Sequence, residues 1–195
     1  LRRPQLLGHE EGQFQRLRGI QPRIAGGVIA VGQILERLGP DWTILHAVPV
    51  GAGTSDIDHV LIGPAGVFTL NTKNHAGQSV WVAGRTLMVS GKKQRHLYNA
   101  SYEAGRAAKL LTRGLNATVA VTGVVVVVAP KSMTVRERPA DVVVVTDRQL
   151  LRWLADRPNV LTPTQVSALT AAAIRLDLPL SVRDIRLARS LEPNP

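Results

Sequence analysis

Residues 55–77 decide the fold, and they read SDIDHVLIGPAGVFTLNTKNHAG. Two alternating runs rich in β-branched residues flank a turn-forming tetrapeptide, Gly-Pro-Ala-Gly, at positions 63–66. Such runs on either side of a short glycine-containing loop are typical of two strands that pair antiparallel. The sequence therefore predicts a β-hairpin with strands at 56–62 and 67–73.

The register of this hairpin places four polar side chains together. If the residues that flank the tetrapeptide lie opposite each other, Asp58 lies opposite Asn71 and Asp56 lies opposite Lys73. Paired residues share one face of a sheet, so all four side chains gather on that face at the open end. Most other positions of both strands are apolar, which indicates a buried hairpin with one polar end.

A purely structural interpretation of this polar end also exists. Asp56 and Lys73 as a cross-strand ion pair would contribute about 0.2 to 1 kcal/mol to stability. Asp58 and Asn71 would then share a hydrogen bond. Since charged and amide side chains are mostly exposed in proteins, the residues alone leave this interpretation open beside a functional one.

The stretch DIDHVLIGPAGVFTLNTKN, residues 56–74, resembles the nuclease-related NERD domain, a branch of the PD-(D/E)xK nuclease superfamily. The resemblance covers about residues 24–112 and depends on an aspartate, a GP-x-G turn, an apolar strand and an x-x-Lys-Asn ending in that order. It implies an α/β fold of the restriction-endonuclease type, with a central mixed sheet flanked by helices. It also implies DNA processing in bacteria.

The resemblance gives three residues of the hairpin a role in catalysis. Asp58 and position 71 would bind a divalent metal, Mg²⁺ or Mn²⁺, and Lys73 would orient or activate the attacking water. In this chain Asn71 stands where the family usually has Glu or Asp. An amide oxygen can bind Mg²⁺ but brings no charge, so we expect weaker metal affinity and slower turnover. The family's glutamate near the start of the first helix has no counterpart in residues 24–29.

Two functions follow from the resemblance. The first is a metal-dependent phosphodiesterase acting on nucleic acid, with DNA a better candidate than RNA. The second is a binding module that keeps the fold and the basic surface but does not cut. Asp58 and Lys73 favour the enzyme, whereas Asn71 favours the binding module.

The composition of the 195 residues agrees with a nucleic-acid partner and excludes several other classes. Cysteine is absent, which excludes a disulfide framework, a thiolate metal site and a cysteine nucleophile. The net charge of +10 favours phosphate contacts, although the three widely spaced tryptophans argue against a stacking platform for single strands. Because no apolar run is long enough to cross a bilayer, we expect a cytoplasmic protein with no membrane segment in this chain.

Hydrophobic periodicity and turn residues divide the chain into an arm, one domain and a tail. Residues 1–23 are predicted to form a basic N-terminal arm, 24–178 the nuclease-related domain, and 179–195 an arginine-rich tail. Beyond the hairpin, we expect helices at 24–38, 99–115, 148–155 and 163–176 and strands at 43–48, 79–82, 86–89, 122–129 and 141–145.

The densest basic run of the domain lies between the hairpin and the second helix. Lys92, Lys93 and Arg95 follow the predicted site closely in sequence, which makes them candidates for contacts to the phosphate backbone. A charged loop between a strand and a helix is an equally plausible interpretation. The resemblance to NERD domains, which often have a polar element with glutamine here, implies Gln94 and Asn99 as secondary candidates for holding the site together. His75, just after the second strand, is a candidate auxiliary acid or base.

Overall fold

The computed structural model describes residues 22–49 and 56–175. The predicted tail and all but the last two residues of the predicted arm lie outside the described residues. Helix α1 begins at Pro22, slightly before the predicted domain boundary. The elements in chain order are α1 (Pro22–Leu35), β1 (Thr43–Pro49), β2 (Asp56–Gly63), β3 (Gly66–Asn74), β4 (Ser79–Ala83), β5 (Thr86–Val89), β6 (Lys92–Gln94), α2 (His96–Leu115), β7 (Val121–Val128), β8 (Ser132–Glu137), β9 (Val142–Thr146), α3 (Asp147–Ala155) and α4 (Pro163–Arg175).

A five-stranded mixed sheet lies at the centre, in the order β1-β2-β3-β7-β9. Strands β1, β2 and β3 pair antiparallel, whereas β3, β7 and β9 pair parallel. Helices α1 and α3 pack on one face, and helices α2 and α4 pack on the other. A mixed sheet flanked by the four helices of the described part confirms the predicted α/β, restriction-endonuclease-like fold.

The central hairpin has the predicted register. Ile62 lies opposite Val67, and Gly63 lies opposite Gly66. The backbone of Gly66 has a φ of +124°, a conformation that only glycine adopts without strain. Most residues of the two strands are buried, in consecutive runs, because the helix layers cover both faces of the sheet.

Helix α2 packs directly onto the buried strand β7. Its residues Ala100 and Ala104 are buried, as the predicted apolar stripe requires. A Cβ atom added to Gly123 of β7 would lie 2.6 Å from the carbonyl oxygen of Ala100, so the helix backbone approaches the strand as closely as sterics allow. Although α2 is 20 residues long, neither it nor any other helix of the described part is apolar enough to cross a membrane.

Three features differ from the sequence-based expectation. Residues Lys92–Gln94, predicted as a loop, form β6, and α2 begins at His96 instead of residue 99. Strand β8, whose residues are mostly exposed, was not predicted: its apolar alternation is limited to Met133 and Val135. Together β6, β5, β4 and β8 form a second, four-stranded sheet in that order, which packs against the first turns of α2.

Candidate active site

Strands β2 and β3 separate at the open end of the hairpin. Their pairing ends at His59 and Leu70. Beyond that point β2 continues to pair with β1, while β3 continues to pair with β7. Asp58 and Asn71 therefore lie on either side of a gap between two diverging strands.

Asp58 fills part of this gap with its carboxylate. Its Oδ2 accepts a hydrogen bond from the backbone N–H of Thr72, with an N to O distance of 2.6 Å. The side chain thus satisfies a buried strand amide and is held at a fixed position. The hydrogen bond between Asp58 and Asn71 in the purely structural interpretation is not formed, since the amide of Asn71 donates to another residue.

The partner of Asn71 is Glu103 of helix α2. Nδ2 of Asn71 donates to both carboxylate oxygens of Glu103, at 2.7 and 2.8 Å. Asn71 is only 5% exposed, so this contact is inside the protein. Glu103 therefore brings a second carboxylate to the polar end of the hairpin, and it does so from a helix instead of from β3.

Burial raises the pKa of both carboxylates of the cluster. Burial raises the pKa of Asp58, although the hydrogen bond from Thr72 and the charge of Lys73 oppose the shift. Burial also raises the pKa of Glu103; the hydrogen bond from Asn71 opposes the shift, and the negative charge of Asp58 adds to it. A cation placed between the two groups would stabilise their ionised forms.

Lys73 lies on the same strand as Asn71, two residues further on, and is half-buried. Its positive charge influences both Asp58 and Glu103, so its ammonium group belongs to the cluster. The ion pair with Asp56, which the purely structural interpretation required, is not formed, although both residues belong to the described part of the chain. Asp56 is exposed and lies opposite Pro49 of β1.

The donor atoms of the cluster fit a hard divalent cation. Oδ1 of Asn71 is buried and has no hydrogen-bond partner in the structure. With the carboxylates of Asp58 and Glu103 it forms a set of oxygen donors, the type that Mg²⁺ prefers, and Mg²⁺ commonly takes only one or two carboxylates from protein. Over residues 22–49 and 56–175, no three His, Cys, Asp or Glu side chains are placed so that they could together hold a metal ion.

Two histidines meet beside Lys73. The Nε2 atoms of His75 and His96 lie 3.0 Å apart, and the rings are stacked with centroids 5.2 Å apart. Burial lowers the pKa of both groups, with a further lowering by the charge of Lys73, and the pKa of His96 falls to about 4. Both rings are therefore neutral at neutral pH, and the role of His75 as an acid or base stays a prediction.

The predicted phosphate contacts Lys92, Lys93 and Arg95 are exposed and lie at and just after β6, an edge strand of the second sheet. Gln94 bonds within its own strand, since its Nε2 donates to the carbonyl oxygen of Lys92. Asn99 is exposed on the first turn of α2. The structure thus places the basic run at the start of the helix that carries Glu103.

Sequence reasoning missed Glu103, although two signals point to it. It is the only acidic residue of α2. It also follows the buried Ala100 by three positions and precedes the buried Ala107 by four, which places it at the edge of the apolar stripe that packs on the sheet. These signals make Glu103 a candidate, but its contact with Asn71 depends on how α2 docks on the sheet.

One comparison with known proteins gives a match. The family model of the nuclease-related domain, NERD, matches residues 25–128. The match begins in α1 and ends with β7, so it includes Asp58, Asn71, Lys73 and Glu103. No curated protein and no solved structure matches the chain significantly. Because the family model covers more than half of the 195 residues, the chain belongs to the nuclease-related domain family.

Proposed function

We propose that the protein is a divalent-metal-dependent phosphodiesterase that cuts nucleic acid, with DNA as its substrate. The observation that carries this proposal is the contact between Asn71 and Glu103. Asn71 replaces the second acid of the family, but Glu103 brings an acid to the same amide. The cluster therefore retains two carboxylates and one lysine, which is the charge that hydrolysis at such a site needs.

Each residue of the cluster has a separate task in this proposal. Asp58, Glu103 and Oδ1 of Asn71 would hold Mg²⁺ or Mn²⁺, which when bound supplies a polarised phosphate and a more acidic water. Lys73 would stabilise the negative charge that develops on the phosphate in the transition state. The hydrogen bonds from Thr72 to Asp58 and from Asn71 to Glu103 would hold both carboxylates in place before substrate arrives.

The membership in the nuclease-related family and the positive net charge support nucleic acid as the substrate class. We include in the proposal that the protein acts in the bacterial cytoplasm, because the family resemblance implies DNA processing in bacteria.

A binding module is the alternative, and one observation favours it. Both oxygens of Glu103 already accept hydrogen bonds from Asn71, so the pair forms a partly buried structural contact that needs no metal. In that case the protein would hold nucleic acid without cutting it.

The test is cleavage of supercoiled plasmid and of labelled single-stranded DNA in Mg²⁺, Mn²⁺ or EDTA. The variants are Asp58→Asn, Glu103→Gln and Lys73→Met, which change charge with little change in volume. Asp56→Asn is the matched control, because it removes an exposed acid from the same strand. We expect metal-dependent cutting by wild type and control, with a loss of about 100-fold or more in each cluster variant.

If Glu103→Gln cuts as well as wild type, the carboxylate of Glu103 is not required for cutting and this part of the proposal is wrong. Absence of cutting by wild type in both metals would favour the binding module. Isothermal titration of Mn²⁺ gives an independent readout, since Glu103→Gln should weaken metal binding whether or not the protein is active.

A further inference from the structure

The exposed face of helix α2 carries a stripe of tyrosines and arginines. The tyrosine–arginine stripe consists of Arg95, Tyr98, Tyr102 and Arg106, spaced three or four residues apart so that their side chains are neighbours. The rings of Tyr98 and Tyr102 are within 10° of parallel, with centroids 6.3 Å apart. Arg95 lies 4.8 Å over the Tyr98 ring, and Arg106 lies 5.6 Å from the centre of the Tyr102 ring.

These rings are unusually exposed for aromatic side chains. Tyr98 is 59% exposed and Tyr102 is 56% exposed, and they are the only two tyrosines of the chain. In contrast, Trp42 and Trp153 both pack against Phe68. The spacing of the tryptophans gave no indication of a platform, because the aromatic surface is made of tyrosines that a helix brings together.

The stripe borders the candidate active site. Tyr102 immediately precedes Glu103, and successive helix residues are about 100° apart around the axis. The stripe and the carboxylate therefore lie on adjoining faces of the same turn. A chain that runs along the stripe passes beside the cluster of Asp58, Glu103 and Lys73.

The charge around the stripe is suited to a polyanion. Lys92, Lys93, Lys109 and Arg113 are exposed on β6 and α2, and Glu103 is the only acid of that helix. The exposed Arg95 lies over the ring of Tyr98, and an arginine stacked on an aromatic ring keeps its charge and its donors for phosphate. Exposed parallel rings between cationic groups are the combination by which proteins hold single strands.

We propose that the tyrosine–arginine stripe is a binding platform for single-stranded nucleic acid, with bases stacked on Tyr98 and Tyr102 and phosphates held by the neighbouring arginines and lysines. Duplex bases are already stacked on each other and offer no free faces to these rings. The inference rests on the proposed function only in naming the substrate of the same site as a single strand or an unpaired end.

The test is binding of fluorescein-labelled oligothymidylate, measured by anisotropy in EDTA so that no cutting occurs. The variants are Tyr98→Ala and Tyr102→Ala, with Tyr98→Phe and Tyr102→Phe as conservative partners. Val160→Ala is the matched control, since Val160 is 62% exposed and lies near Gly66 at the opposite end of the hairpin. A second probe has the same length and phosphates but abasic sites in place of bases.

We expect each alanine variant to bind oligothymidylate about 5-fold or more weakly than wild type, and the phenylalanine variants and the control to bind within twofold of wild type. On the abasic strand and on a matched duplex, the alanine substitutions should change affinity little. Equal losses on all three probes, no loss on any, or no measurable binding of oligothymidylate by wild type would each overturn the inference.

The two proposals fail separately. Tyrosine-dependent binding without metal-dependent cutting would support the binding platform and contradict the proposed phosphodiesterase activity. Metal-dependent cutting by Tyr98→Ala and Tyr102→Ala, with unchanged affinity for oligothymidylate, would leave the enzyme standing and reject the platform. Circular dichroism checks that the variants fold; because both side chains are exposed, truncation should leave the core intact.

Discussion

At the scale of single residues, position 71 carries an amide where the family usually has an acid, and in the structure this amide contacts the carboxylate of Glu103. Asn71 cannot ionise, but its N–H groups hold Glu103, and its buried oxygen has no partner. A carboxylate at position 71 would have no hydrogen to donate to Glu103 and would repel it. Asn71 and Glu103 therefore form one unit, and the chemistry of the site depends on both.

The substitution Asn71→Asp tests this unit. It places a carboxylate against the half-buried Glu103, so in EDTA we expect a loss of about 1 to 3 kcal/mol in the free energy of unfolding. Mg²⁺ or Mn²⁺ should restore more stability to the variant than to wild type, because a bound cation offsets the added charge. The measurement is the melting temperature with EDTA and with each metal.

Asn71→Ala is the control for this measurement, since it removes the amide without adding charge. An equal response of Asn71→Asp, Asn71→Ala and wild type to metal would show that no cation binds at this cluster.

At the scale of elements, the hairpin could be predicted from sequence and the docking of α2 could not. Strand pairing follows from a period of two and a glycine turn, which are local signals. The contacts of Glu103 and the exposure of Tyr98 depend on how α2 lies on the sheet, which no local pattern determines. Strand β8 was missed for a related reason: it is mostly exposed, and its pairing with β4 alone defines it.

The close approach of α2 to β7 predicts the effect of Gly123→Ala. The added Cβ would meet the carbonyl oxygen of Ala100, so the helix must move away from the strand, and Glu103 moves with it. We expect a loss of about 1 to 3 kcal/mol in the free energy of unfolding, together with reduced cleavage. Urea unfolding and the plasmid assay measure the two effects.

Gly105→Ala is a matched control in the same helix. A Cβ at Gly105 has open space around it, and alanine is a better helix former than glycine by about 1 kcal/mol. Stabilisation by Gly105→Ala and destabilisation by Gly123→Ala would locate the constraint at the contact between helix and strand. If Gly123→Ala were as stable as wild type, the tight approach would not exist.

Strands β1 and β2 contain a histidine pair that makes stability depend on pH. His46 and His59 lie opposite each other, with their Nδ1 atoms 2.7 Å apart. Burial lowers the pKa of His59 to about 3. Since the unfolded chain takes up this proton near pH 6.5 and the folded protein near pH 3, the stability contributed by the neutral ring is complete above pH 6.5 and decreases as the pH falls through this interval.

We expect His59→Phe to show a shallower decline in the free energy of unfolding than wild type between pH 6.5 and pH 4. One proton accounts for about 1.4 kcal/mol per pH unit. Urea unfolding at several pH values measures both slopes, and parallel curves for the two proteins would contradict the assignment.

At the scale of the whole molecule, the effect of the net charge of +10 on nucleic-acid binding should depend on where the basic residues lie. Two edges of the second sheet carry exposed basic residues: Lys92 and Lys93 on β6, and Arg136 on β8 with Arg138 just beyond it. Only β6 leads directly into the tyrosine–arginine stripe. The two edges therefore allow a comparison of equal charges at different distances from the candidate site.

Affinity for oligothymidylate should fall with salt because phosphate contacts release counterions. The plot of log affinity against log salt has a negative slope. We expect the double variant of Lys92→Ala and Lys93→Ala to make this slope less negative by about 1.4, at about 0.7 for each lost contact. The double variant of Arg136→Ala and Arg138→Ala is the matched control. Equal slopes for the two variants would show that charge acts without regard to position.

The location of the second carboxylate on α2 has a consequence for protein synthesis. Asp58 leaves the ribosome well before Glu103, and the two acids meet only after the later helix has folded onto the sheet. A nascent or truncated chain that ends within the hairpin would lack half of the acidic pair. Under the proposed function, competence to cut would therefore appear only after α2 has docked on the sheet, and an unfinished chain would not cut nucleic acid.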